Sequence, residues 1–148
     1  MRTGAASTIL GGWQISGVLT LESGTPITVT ANGGALAAPG NTQTANLVAP
    51  VQILHGIGVG NPWFSQSSFA QPVGPVFGNM GRNAMSGPGF FQLNLSLFKD
   101  LAAGERLRLQ LRAETFNFTN TPWFSNPSAS ITSQTFGYIT STVRPALE

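Results

Sequence analysis

Side chains that commonly do acid–base or metal chemistry are scarce in this sequence, with one histidine, five acidic residues and no cysteine among 148 residues. A glycosidase-like centre needs two facing carboxyl groups, one of them held protonated. Glu22, Asp100, Glu105 and Glu114 are the available candidates. Asp100 and Glu105 flank a short connection, and a solvated turn accounts for both. Glu114 shares an alternating face with Arg108 and Arg112, so it reads as an arginine partner rather than a proton donor. His55, in the stretch VQILHGIG, has no Asp or Glu within roughly twenty residues on either side to orient it or to complete a metal site. The lack of cysteine removes disulfides, Cys-ligated zinc and a thiol nucleophile. Gly56–Gly60 (GIGVG) is not followed by the helix that a dinucleotide loop requires, and the segment around Arg82 has no Walker lysine. Ser86 stands outside a G-x-S-x-G frame. The expectation is therefore no catalytic residue, no metal site and no cofactor.

Composition points to a different kind of protein. Only 8% of residues are charged, against 41% apolar, with 18 Gly and 10 Pro; an ordinary soluble domain carries roughly 25% charged residues. Few charges with many hydroxyls and amides describe a β-rich chain with long polar loops. The net charge is only +2, and no basic cluster with interleaved aromatics is present, so nucleic acid is not an expected partner. No apolar run approaches the ~18 residues of a transmembrane helix. MRTGAASTIL breaks at Gly11-Gly12 before a signal-peptide core develops, so no signal peptide is expected here.

The elements follow from a period of two. RLRLQLRAE (106–114) sets Leu107, Leu109, Leu111 and Ala113 on one face and Arg106, Arg108, Gln110, Arg112 and Glu114 on the other. A helix would mix the two sets around its circumference. Before it, Phe91, Leu93, Leu95 and Leu97 alternate with Gln92, Asn94 and Ser96. Each of these two strands has about the 9–11 residues that cross a bilayer at a tilt. Trp13–Glu22 alternates with only Val18 out of step; Ser23-Gly24-Thr25 reads as a tight turn and Pro26–Thr30 as the second strand of a hairpin. From Ala31 to about Pro88 periodicity disappears and the composition says loop. So long a loop is rare inside a compact domain but expected on the outer side of a membrane barrel. A last, weak strand spans Thr135–Val143. The leucine face can rest on protein or on lipid; the pattern alone does not choose.

Four stretches, GGWQISGVLTLESGTPITV, GNMGRNAMSGPGFFQLNLSLFKD, ERLRLQLRAETFNFTNTPWFSNP and FGYITSTVRPA, occur in an order that resembles the C-terminal barrel region of TonB-dependent outer-membrane receptors. The likeness is to the large type with a carboxypeptidase-regulatory-like N-terminal domain. That resemblance implies a plugged 22-stranded barrel in the bacterial outer membrane, taking up siderophores, glycans or peptides. The plug, the energy-coupling box and a final aromatic-terminated strand have no counterpart here, so the chain is expected to be one partial barrel segment over 1–148. Its strands are expected at about 8–30 and 89–143, with a long loop at about 31–88.

On this reading Arg106, Arg108, Arg112, Glu114, Gln92 and Asn94 face the lumen and are the candidate solute contacts, while Leu93, Leu95, Leu97, Leu107, Leu109 and Leu111 face lipid. Trp13, Trp123 and Phe124 sit at the membrane boundary. The expected partners are outer-membrane lipid and the rest of the barrel; about five strands cannot close, so an isolated chain is expected to self-associate through strand edges. The rival is a small soluble β-sandwich or edge-paired oligomer, a carbohydrate-binding unit or hydrolase in which Trp63, Phe64, Trp123 and Phe124 stack on sugar rings.

Overall fold

The computed structural model describes residues 10–103 and 107–144. Among them the chain is all-β, with strands β1 (Trp13–Glu22), β2 (Pro26–Ile27), β3 (Asn46–Leu47), β4 (Phe69–Ala70), β5 (Met85–Ser86), β6 (Phe90–Ala103), β7 (Leu107–Thr115), β8 (Trp123–Phe124) and β9 (Thr142–Arg144). The described residues fall into two compact units: a sheet unit, with residues up to Leu21 and Phe91–Thr121, and a loop unit, with Glu22–Phe90 and the segment from Pro122.

In the sheet unit the strand order is β1-β6-β7. β6 and β7 pair antiparallel from Leu95↔Thr115 to Ala103↔Leu107 across a short connection. β1 lies antiparallel on the other side of β6: the Gly12 carbonyl accepts from the Asp100 amide at 3.0 Å, while a Cβ on Gly17 would sit 3.3 Å from the Asn94 carbonyl. The alternating stretches thus become the three long strands, because a strict period of two has only one conformation that keeps its apolar side together.

The expected hairpin between 13–22 and 26–30 does not form. Pro26 and Ile27 pair instead with Ser86 and Met85. At the crossing the backbones nearly touch, since a Cβ on Gly24 would lie 1.8 Å from the Gly87 carbonyl oxygen, and only a glycine at 24 permits that approach. The alternation in 26–30 is nonetheless real: Ile27 and Val29 are buried while Thr28 is not. Those side chains enter the core of the loop unit, where their partners lie far away in sequence.

Most of that core comes from the stretch without periodicity, with Ile27, Val29, Phe136 and Ile139 added from outside it. Phe64, Phe69 and Phe136 meet edge to face with ring centroids 5.3–5.8 Å apart, and Ile27, Val29, Ala45, Trp63, Met80, Met85 and Ile139 pack around them. Its strands are two or three residues long, too short to print a period. Polar groups carried inside are satisfied. Gln43, 4% exposed, donates from Nε2 to the Val76 carbonyl at 2.8 Å and accepts from the Gly78 amide at 3.2 Å. Ser68 donates to the Pro50 carbonyl at 3.0 Å. The expected final strand at 135–143 is reduced to β9, preceded by turns and by a bridge between Ser128 and Phe136.

Candidate functional site

The register of β6 and β7 decides which side chains share a face. Ser96 stands opposite Glu114, Phe98 opposite Arg112 and Asp100 opposite Gln110. With Gln92, Asn94 and Arg108 these make one polar face, so the structure brings together all the sequence-chosen lumenal residues that it describes. Arg106 lies outside the described residues. On that face Arg112 Nη2 pairs with Glu114 Oε1, which also accepts from Ser96 Oγ at 3.2 Å. The Arg112 guanidinium lies 5.0 Å from the Phe98 ring centroid, a cation–π arrangement. Gln110 Nε2 donates to Asp100 Oδ1 at 2.9 Å. Gln92 Nε2 donates to Asn94 Oδ1 at 3.0 Å, and the same oxygen takes the Asn117 amide at 2.9 Å. Arg108 lines a shallow cavity of about 380 Å³ with Asp100 and Gln110. Each carboxylate therefore meets a donor across the ladder, as cross-strand pairing favours.

The opposite face is hydrocarbon. Leu97 faces Ala113 and Leu101 faces Leu109, and a Cβ on Gly17 would lie 2.9 Å from Leu95 Cδ2, which puts the odd-numbered residues of β1 on this side. Ile15 is 79% exposed, Leu21 70%, Leu107 61% and Leu109 52%. A soluble sandwich would have buried these side chains; here they form a contiguous apolar surface of the kind that marks a protein or membrane contact.

One residue on that surface went unread in the sequence. Lys99 has the parity of the leucines and Phe98 that of the polar set, as their partners Leu111 and Arg112 show. Lys99 is 4% exposed; its Nζ reaches the Gly11 carbonyl and stands 4.9 Å from the Trp13 ring centroid. The stem covers apolar surface while the ammonium finds a carbonyl and a ring, the arrangement by which long cations tolerate an oily surface. Continuing the period of two past Leu97 would have found it.

Trp13 is 50% exposed on this sheet face. Trp123 and Phe124 are half-buried in β8 of the loop unit. Trp63 and Phe64 are corrected from sugar-stacking residues to core residues, at 7% and 0% exposure, and the Trp63 indole N–H donates to the Ser86 carbonyl at 3.1 Å. No face of the Phe64 ring is open to a solute. His55 is exposed with φ 57°, its ring meeting Trp63 edge-on at 4.9 Å. Among the described residues no three His, Cys, Asp or Glu side chains gather into a metal site, and no helix is long and apolar enough to cross a membrane.

A sheet with one hydrocarbon face left open and one polar face internally paired is the local structure of a barrel wall. The sequence matches the family described as outer membrane beta barrel domain over residues 1–146. The chain belongs to that family. For an outer membrane beta barrel domain the crossing elements are strands, and β1, β6 and β7 are the long ones here. No curated protein matches the chain. No solved structure matches it either.

Proposed function

We propose that this barrel domain is part of the wall of a TonB-dependent transport receptor, which carries a solute across the outer membrane and performs no catalysis. The observation that carries the reading is the separation of an apolar from a polar face across β1, β6 and β7, broken only at Val18, Phe98 and Lys99, in a member of an outer-membrane barrel family. The four stretches that resemble the receptor family in order support it further. Arg106, Arg108, Arg112, Glu114, Gln92 and Asn94 face the solute path. The bonds of Arg112 to Glu114 and of Gln92 to Asn94 support a polar lining that keeps the lumen wet, and Arg108 lines a cavity on the same strand pair. Lipid covers the leucines. The remaining strands of the wall add to the outer edges of β1 and β7, which have a partner on one side only among the described residues. Where those strands are missing, the same edges pair with other copies.

The test is deletion of the coding segment in its host, followed by uptake of ferric siderophores, oligosaccharides and peptides with and without a protonophore. The expected result is loss of uptake of one solute, limited to the energised condition. Wild-type uptake of all three classes by the deletion strain, with the protein present in the parent strain's outer-membrane fraction, overturns transport as its role.

A further inference from the structure

The loop unit holds a cleft of about 250 Å³ whose wall includes Phe90, Trp123, Phe124, Glu22, Thr25 and Asn126. Trp123 and Phe90 stack nearly parallel, with centroids 4.6 Å apart and planes 17° from each other. Both rings line the cleft, and their stacking makes them a flat apolar wall. β8 is held in place by pairing with β9, Phe124 opposite Thr142. Ser125 Oγ adds a bond to the Ser141 carbonyl at 2.7 Å.

The polar groups of the cleft are fixed in direction. Asn126 Oδ1 accepts from Thr25 Oγ1 at 2.9 Å, which turns the amide so that Nδ2 is the group left to donate. Glu22, with acceptors only, is the single ionisable side chain in the lining among the described residues. A flat apolar wall with a donor and an acceptor at its rim suits a ring with a hydrophobic face and hydroxyls around its edge. Among the described lining residues an anion would meet Glu22 and no cation. A cation would gain nothing from the Asn126 donor. The volume is below the ~300 Å³ at which sites for drug-sized ligands begin, which fits one ring of a chain rather than a bulky chelate.

We infer that this cleft binds a neutral saccharide, with Trp123 as the platform and Asn126 Nδ2 and Glu22 as its hydroxyl partners. The inference deepens the receptor reading, because it names the solute class, and to that extent rests on it. Binding itself is a property of the cleft.

The experiment is calorimetric titration of the full chain in detergent with maltohexaose, cellohexaose and xylohexaose, beside choline chloride as a cationic probe. One of the sugars is expected to bind saturably, choline not. Trp123→Ala is expected to weaken sugar binding at least about tenfold. Asn126→Asp keeps the acceptor for Thr25 and removes the donor, so it is expected to weaken binding with the near-ultraviolet circular dichroism unchanged. Should Trp123→Ala disturb that spectrum, Trp123→Phe supplies a flat ring and is expected to restore both fold and binding. Saturable heat from none of the sugars, equal binding by Asn126→Asp, or competition by choline overturns the inference. The titration needs no energised membrane, so sugar binding without uptake would overturn the receptor reading alone, and uptake without sugar binding this inference alone.

Discussion

The sheet unit and the loop unit treat their apolar side chains in opposite ways. In the sheet unit Leu107, Leu109 and Leu111 point outward from a polar-backed wall and stay more than half exposed. The loop unit, made mostly from residues with no visible pattern, buries Phe64 and Ala45 completely, and with them Val29 from the alternating 26–30 segment. The same hydrophobic effect drives both. What differs is what completes the fold: the loop unit supplies its own hydrocarbon, and the sheet unit, on the receptor reading proposed above, borrows it from lipid. Regular alternation is therefore the mark of a surface made for an outside medium, and irregular sequence can hide a self-sufficient core.

The largest effect separating the two units is expected from Phe64→Ala. Truncating a fully buried aromatic ring removes its transfer energy and leaves a cavity, at a cost of about 3–5 kcal/mol. Leu109→Ala, half exposed in water, is expected to cost within about 0.5 kcal/mol in detergent-free solution. Denaturant midpoints followed by near-ultraviolet circular dichroism measure both. Equal costs would erase the distinction between a packed unit and an open one.

The next effect appears only in lipid. Leu97 lies near the middle of β6 on the hydrocarbon face, and Ser96 beside it lies on the polar face opposite Glu114. Leu97→Arg is expected to destabilise the vesicle-inserted protein by about 2–4 kcal/mol, the cost of arginine near the bilayer midplane. Ser96→Arg, one residue away, is expected to cost much less, since its side chain enters a wet lumen next to a carboxylate. Urea titration of the inserted variants compares them; a Ser96→Arg penalty as large as that of Leu97→Arg would mean the faces have been assigned to the wrong sides.

How much of this was legible depended on the length of each strand. β1, β6 and β7 run for 9 to 14 residues, long enough for a period of two to declare both the strand and its faces, and the polar set from Gln92 to Glu114 came out on one side as read. Partners were less legible. Pro26–Thr30 alternates correctly, yet its side chains join Phe64 and Met85 rather than β1, because a period reports a strand's faces and carries no information about what lies alongside. Trp63 and Phe64 looked like contact aromatics because each follows a turn-rich stretch; burial is set by residues as distant as Phe136 and Ile139, which no local window contains. Lys99 is legible by parity, two places beyond Leu97 on the apolar side.

The smallest effect tests which medium the polar face meets. Arg112 and Glu114 are ion-paired with 57% and 35% of their side-chain surfaces exposed. Exposed pairs contribute little, because water screens the charges and two long side chains lose freedom to meet. A double-mutant cycle through Arg112→Ala and Glu114→Ala, measured in vesicles, is expected to give a weak coupling that vanishes as salt rises. Phe98 keeps Arg112 in place by a contact that salt hardly reaches, so Arg112→Lys, which loses the flat guanidinium, is expected to reduce the coupling as well. A coupling that persists at high salt would show the pair shielded from water. In that case the arginine face would have no wet lumen before it, and the leucine face would lose its reason for being the outer one.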